Sequence, residues 1–200
     1  MNVNAQNNNI LNLKTGDLVF QDLDSSPLCD AIEKVTKGFE NLPISHIGIV
    51  YINNGHTYII EAFDNVDTIR LNNFLQRSIY KNKPKVIVGR LKKEYQNLIP
   101  QAINRAVELI GRGYDEAFIL NNDKFYCSEL IYEIFLYANH NTPFFTLKPM
   151  TYKLNGETLD IWLEYFNKLN IEVPENKLGI NPGGISLSNK IDIIYNMSNP

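Results

Sequence analysis

Five short apolar segments within residues 16–91 constrain the fold more than any other feature of this chain. They are rich in β-branched and aromatic residues, and we predict strands at 16–23, 47–52, 57–63, 68–71 and 85–91. The sequence Asn53-Asn54-Gly55, between the second and third segments, is typical of a β-hairpin turn. Strands in such close succession predict an antiparallel, barrel-like sheet rather than a parallel sheet built from helical crossovers.

Apolar residues at helical spacing dominate the rest of the chain. This pattern predicts helices at 27–37, 98–110, 158–169 and from 127 onward. The sequence Pro182-Gly183-Gly184 predicts a loop, and 185–197 a short strand or coil. The chain is therefore expected to have an α+β fold in which helices pack against the sheet.

Length and composition limit the classes of protein that remain. Two hundred residues without repeats or linkers suit one well-buried domain, which we place at 14–200 after a flexible arm at 1–13. A net charge of -3 argues against a basic surface for nucleic acid, and no apolar run is long enough for a transmembrane segment. Residues 1–9 lack the apolar core of a signal peptide, so we expect a cytoplasmic protein or an exported one whose leader was removed.

Cys127 is the strongest candidate for a catalytic residue. It lies where the polar run 121–124 gives way to apolar helical spacing, which places its thiol on the first turn of a helix. Unpaired N–H groups and the positive end of the helix dipole favour a thiolate there, and a thiolate served by a histidine is the nucleophile of acyl transfer. The structural alternative is a small buried core residue, and the second cysteine, Cys29, is predicted to be one.

His46 and Glu61 are the candidate partners of this thiol. His46 opens one strand of the predicted hairpin and Glu61 lies near the end of the other, so both approach its open end. A carboxylate beside an imidazole fixes the tautomer and stabilises the imidazolium. Each residue also has a structural interpretation: His46 as a hydrogen-bonded strand residue, and Glu61 as a solvent-facing charge or an ion-pair partner of Arg70 or Arg90.

The remaining candidates give no comparable pattern. His56 and His140 are predicted in solvated turns. No Cys, His, Asp or Glu grouping has the spacing of zinc ligands, so neither a metal nor another cofactor is predicted. The sequence also contains no Gly-x-Ser-x-Gly elbow and no phosphate-binding glycine loop.

Four motifs in a fixed order resemble those of the permuted papain-like hydrolases, the YiiX-like branch of the NlpC-type cysteine peptidase superfamily, which is related to lecithin–retinol acyltransferases. The motifs are Gly-Asp-Leu-Val-Phe at 16–20, Ser-His-Ile-Gly-Ile-Val at 45–50, Ile-Glu-Ala at 60–62 and Tyr-Cys-Ser-Glu-Leu at 126–130. The histidine motif precedes the cysteine motif, which is the order of the permuted branch. The resemblance covers residues 14–150, and no motif is assigned after Pro149.

The resemblance implies a circularly permuted papain-like fold with Cys127 as nucleophile, His46 as base and Glu61 as orienting residue. The predicted substrate-binding residues are Tyr114, Tyr126 and Ser45. The implied reaction is hydrolysis of an amide by a cysteine amidase or peptidase. Cell-wall peptides or small amidated compounds are the implied substrates.

Two alternatives remain open from the sequence. A lipid acyltransferase or phospholipase of the same superfamily would need an apolar groove beside Cys127, for which 118–120 and 144–145 are candidates. A non-catalytic ligand-binding module would keep the papain-like architecture without turnover. The predicted partner is a small peptide or amide, with an acyl lipid or a bound ligand as the alternatives.

Overall fold

A large antiparallel sheet forms the centre of the fold. The computed structural model describes residues 12–196. The strands are β1 (Leu18–Gln21), β2 (His46–Asn53), β3 (His56–Ala62), β4 (Val66–Arg70), β5 (Ile79–Tyr80), β6 (Lys83–Pro84), β7 (Val86–Leu91), β8 (Lys148–Pro149), β9 (Lys153–Leu154), β10 (Glu157–Thr158), β11 (Leu178–Gly179) and β12 (Ile191–Asn196). Six of these described strands make the main sheet in the order β12-β7-β1-β2-β3-β4, and all neighbours run antiparallel.

The sheet is open. Its edges are β12 and β4, and within residues 12–196 these two strands do not pair with each other. The predicted antiparallel sheet is confirmed, but it does not close into a barrel. The segment predicted as strand or coil near the end of the chain supplies β12, which pairs with β7.

The helices are α1 (Pro27–Val35), α2 (Leu71–Gln76), α3 (Ile99–Glu108), α4 (Cys127–Ala138), α5 (Asp160–Lys168) and α6 (Pro182–Ser186). The prediction of a loop at Pro182-Gly183-Gly184 is wrong, because these residues form α6. Asn181 caps that helix by accepting the Gly184 N–H at 2.6 Å, and Pro182 occupies the first helical position. None of the helices within 12–196 is long and apolar enough to cross a membrane.

The sheet has a hydrophobic core on each face, because successive strand residues point to opposite sides. Leu18 and Phe20 of β1 face the main core, which includes the apolar side of α4, whereas Val19 faces a smaller core that includes Phe74 of α2. Trp162 of α5 is also buried in the main core, so the helix predicted at 158–169 belongs to the body of the protein.

The turn between β2 and β3 fixes the register on which the candidate site depends. Asn54 (φ 50°) and Gly55 (φ 75°) both adopt the left-handed conformation that a two-residue hairpin turn requires. This turn pairs Asn53 with His56 and, further along, Gly48 with Glu61. Most of the predicted arm at 1–13 lies outside the described residues.

Candidate active site

The β2–β3 hairpin brings an imidazole and a carboxylate into direct contact. The Nε2 atom of His46 lies 2.6 Å from Oε2 of Glu61. Glu61 stands opposite Gly48 in the register, so His46 reaches it as a diagonal neighbour from the open end of the hairpin. Both residues are 3% exposed, so this charged contact is shielded from solvent.

Cys127 lies close to the same imidazole. It is the first residue of α4, it is buried, and its side chain is near enough to His46 to raise the pKa of the imidazole. Because Nε2 of His46 faces Glu61, Nδ1 is the ring atom left for the thiol. The structure therefore brings together the three side chains that the sequence singled out.

Cys127 and Glu61 both raise the pKa of His46. Burial by itself lowers the pKa of His46, but the hydrogen bonds and charges of Cys127 and Glu61 outweigh burial and raise that pKa to about 10. Burial acts to raise the pKa of Glu61, but contact with His46 and Arg77 lowers it overall. The arrangement thus favours a protonated imidazole beside the carboxylate of Glu61.

Arg77 anchors Glu61, and nothing in the sequence analysis identified it. Its Nη1 atom donates to Oε2 of Glu61 at 2.8 Å and its Nη2 atom lies 2.8 Å from Oε1. The guanidinium carbon lies 4.3 Å above the ring of Phe63, and the rings of Phe63 and Phe74 lie 5.8 Å from the imidazole of His46. The carboxylate is therefore fixed from two sides while aromatic rings enclose the imidazole.

The two arginines considered from the sequence as partners of Glu61 have other contacts. The guanidinium of Arg70 lies 4.6 Å from the ring centre of Tyr58. Arg90 donates through Nε and Nη2 to the two carboxylate oxygens of Asp17, each at 2.7 Å. Glu61 does form an ion pair, but its partner is Arg77, so the alternative prediction of Arg70 or Arg90 is wrong.

Hydrogen bonds around the start of α4 hold Cys127 in place. The N–H of Tyr126 donates to Oε2 of Glu129 at 3.3 Å, and the hydroxyl of Ser128 donates to the carbonyl of Ile180 at 2.9 Å. Burial, together with the charge of Asp115, raises the pKa of Glu129 to about 8. The first turn of the helix is thereby tied to the segment that precedes α6.

A cavity of about 150 Å³ adjoins Cys127. Its walls are mainly aromatic and aliphatic and include Phe118, Met150, Tyr152, Trp162 and Ile180. Residues 118–120 and 144–145 were the predicted candidates for an apolar groove. Phe118 lines this cavity, whereas Phe144 and Phe145 line a neighbouring one.

The three predicted substrate-binding residues, Tyr114, Tyr126 and Ser45, all line this cavity. Two of their hydroxyls already have partners in the fold. Tyr126 Oη accepts the N–H of Ile180 at 3.2 Å, and Ser45 Oγ accepts the N–H of Leu23 at 3.0 Å. Tyr114 therefore remains the most available of the three for contact with a substrate.

Three residues set aside in the sequence analysis lie away from this cavity. His56 and His140 are exposed and do not line it. Cys29 is buried, with its sulfur 3.5 Å from Oγ of Ser25. Cys127 is therefore the cysteine that the fold places beside an imidazole.

Comparison with known proteins identifies a family and relatives that match most of the chain. The profile of the permuted papain-like amidase enzymes (YaeF/YiiX, C92 family) matches residues 12–189. The chain is 29% identical over 126 residues to the uncharacterized protein YiiX of Escherichia coli (strain K12), an alignment that covers 61% of this chain and 57% of that protein. The chain thus matches little more than half the length of this curated relative.

A solved structure shows the same fold. The crystal structure of metalloprotein yiiX from Escherichia coli O157:H7 superposes with a TM-score of 0.75 at 20% sequence identity. The superposition covers 92% of this chain and 97% of that chain. The structural similarity therefore extends past residue 150, where the sequence offered no motif.

Proposed function

We propose that this chain, which belongs to the family of permuted papain-like amidases and is thus a papain-like hydrolase, cleaves amides through a triad of Cys127, His46 and Glu61. The observation that carries the proposal is the buried series of contacts from the thiol through the imidazole to the carboxylate. The proposed substrates are cell-wall peptides or small amidated compounds.

The first half of the reaction forms a thioester. The thiolate of Cys127 attacks the amide carbonyl carbon, and backbone N–H groups on the first turn of α4 donate to the oxygen that becomes negative. Pre-organised donors of this kind contribute about 3–4 kcal/mol to the stability of the transition state. The carbon–nitrogen bond then breaks, and the imidazolium of His46 gives its proton to the departing amine.

The second half releases the acid. Formation of the thioester removes the anionic sulfur, which is one of the groups that raise the pKa of His46, so that pKa falls. The neutral imidazole can then accept a proton from water, whose oxygen attacks the thioester carbonyl. The carbon–sulfur bond breaks, the carboxylic acid leaves, and the thiolate and imidazolium are restored. Glu61 orients the ring throughout.

The side chains that the structure describes do not form a metal site. The structural neighbour from Escherichia coli O157:H7 is described as a metalloprotein. Within residues 12–196 of this chain, no group of three or more His, Cys, Asp and Glu side chains could hold a metal ion. The proposed reaction is therefore derived from the side chains alone.

The apolar cavity beside Cys127 favours a second candidate function, that of a lipid acyltransferase or phospholipase. In the acyltransferase reaction the thioester forms in the same way, but an amine or an alcohol, rather than water, accepts the acyl group. Incubation with a diacyl lipid and an amine acceptor, followed by mass spectrometry of the products, separates acyl transfer from hydrolysis.

Substitution of Cys127 tests the proposed function. We expect the Cys127→Ala and Cys127→Ser variants to lose turnover of an amide panel by several orders of magnitude, because no other group in the site can form the thioester. The Cys29→Ala variant is the matched control and should retain activity. Appreciable turnover by either Cys127 variant contradicts the proposal, and ligand binding without turnover by the wild type favours a binding module.

A further inference from the structure

A second cavity, of about 310 Å³, adjoins the catalytic one. The two cavities share the wall residues Lys148, Pro149, Met150, Ile180 and Asn181. This shared wall includes parts of the short ribbon in which β8 pairs with β11. A molecule that occupies both cavities therefore crosses the ribbon.

Apart from the sulfur of Cys127, which acts as a thiolate in the proposed reaction, the charge on these walls has one sign. Among the described residues that line the two cavities, the charged side chains are Lys148 and Lys190, with no Asp or Glu. The whole chain has the opposite balance, with 22 acidic and 19 basic residues. The two cavities are therefore locally basic in an acidic protein.

Lys148 is the lysine available to a ligand. The ammonium of Lys190 donates to the carbonyl of Phe144 and lies 4.5 Å from the centre of its ring, so it is engaged by the fold. Lys148 is exposed and, within residues 12–196, has no hydrogen bond or ion pair from its ammonium group. The carboxylate of Glu175, which lines neither cavity, already accepts from the Thr151 hydroxyl at 2.8 Å and the Tyr152 N–H at 2.9 Å.

We propose that Lys148 binds a carboxylate of the substrate, so that the amides cleaved here join an apolar acyl group to an amino acid with a free carboxylate. This inference rests on the proposed hydrolase function. The acyl group lies against the apolar walls beside Cys127, and the amino-acid portion crosses the ribbon to the second cavity. The ammonium of Lys148, a residue that lines both cavities, then pairs with the carboxylate and selects charged over neutral amides.

Binding can be measured apart from turnover. Trp162 is the one tryptophan of the chain and lines the catalytic cavity, so its fluorescence reports occupancy. Hexanoyl-glycine and hexanoyl-glycinamide, which differ in the carboxylate charge, are titrated onto Cys127→Ala protein. We expect hexanoyl-glycine to bind about fivefold more tightly, which corresponds to about 1 kcal/mol, the scale of a solvent-exposed ion pair. Added salt should reduce this preference.

Adding Lys148→Gln to the Cys127→Ala protein should remove the preference and leave the affinity for hexanoyl-glycinamide unchanged. Lys153→Gln is the matched control, because Lys153 is also exposed but lines neither cavity. Equal affinities for the two compounds, no binding of hexanoyl-glycine, or a preference that survives Lys148→Gln would overturn the proposal.

Turnover separates this inference from the proposed function. If the wild type binds hexanoyl-glycine preferentially but hydrolyses neither compound, the carboxylate site stands and the hydrolase proposal loses support. If it hydrolyses both compounds with equal kcat/KM, the hydrolase stands and the carboxylate site is wrong.

Discussion

The Glu61→Gln substitution tests whether the negative charge of Glu61, rather than its shape, sustains the site. Glutamine keeps the size of the side chain and a hydrogen-bonding oxygen, but it removes the charge held 2.6 Å from Nε2 of His46. It also leaves the guanidinium of Arg77 without its anionic partner. Both effects disfavour the imidazolium, so the pKa of His46 falls.

The size of this effect follows from the contact that is lost. A hydrogen bond to a charged group contributes about 1.5–3 kcal/mol, and one pH unit in pKa corresponds to about 1.4 kcal/mol. The pKa of His46, which is about 10 in the wild type, is therefore expected to fall by about 1–2 pH units. Because His46 must carry a proton to protonate the departing amine, the alkaline limb of kcat/KM should move down by the same amount. The poorly oriented acid should also lower kcat by about 10²–10⁴-fold.

Three measurements check this reasoning. The pH profile of kcat/KM gives the alkaline limb, and the rate of iodoacetamide labelling of Cys127 relative to Cys29 at pH 6 gives a readout that needs no substrate. Thermal unfolding gives the cost of the unpaired Arg77, about 1–3 kcal/mol, which lowers Tm by about 2–4 °C for each kcal/mol in a chain of this size.

The Glu61→Gln/Arg77→Met double variant is the matched control for stability. It removes the guanidinium that Glu61→Gln leaves without an anionic partner, so Tm should recover while the alkaline limb stays displaced. If the alkaline limb of Glu61→Gln coincides with that of the wild type, the charge of Glu61 does not control the pKa of His46 and the reasoning is refuted.

Two further substitutions test other parts of the fold. The pKa of Glu129 is raised from 4.5 to about 8, so the folded protein binds more protons than the unfolded chain between these values and wild-type stability falls as pH rises through this window. Glutamine at position 129 stays neutral, so Glu129→Gln should remove this part of the fall in stability. Urea unfolding at pH 5 and pH 9 should then show that the free energy of unfolding drops by several kcal/mol less in the variant than in the wild type. Parallel pH profiles of the two proteins would contradict this expectation. Gly48→Ala would place a Cβ 2.3 Å from Cγ2 of Ile59 and should cost about 1–3 kcal/mol by overpacking. Its control, Gly113→Ala, meets no atom closer than 3.6 Å, and equal Tm values for the two variants would count against the overpacking argument.

The parts of the site that depend on local sequence were predictable. The Asn54-Gly55 turn fixes the hairpin register, and only 15 residues separate His46 from Glu61, so their approach follows from strand pairing alone. The helix that begins at Cys127 was visible from its apolar spacing. The order of the four sequence motifs connected the hairpin that carries His46 and Glu61 with the helix that carries Cys127.

Contacts set by tertiary packing were not predictable. Arg77 reaches Glu61 because α2 packs against the sheet through Phe74, and no sequence spacing encodes that placement. The α6 helix was missed for a different reason, since two adjacent glycines favour a loop. The Asn181 cap and Pro182 nevertheless form a favourable helix start, whereas Ser26, which precedes Pro27 at the start of α1, makes no side-chain capping bond.

The hairpin that carries His46 and Glu61 also sets the order in which the site can assemble during folding. Its contacts are local and can form early, whereas Cys127 must arrive on a helix that follows α3 and every strand of the main sheet except β12. The imidazole–carboxylate half is therefore expected to exist before the thiol docks. In a chain still emerging from the ribosome, Cys127 would not yet contact the imidazole, so its nucleophilic reactivity would appear only when the native structure is complete.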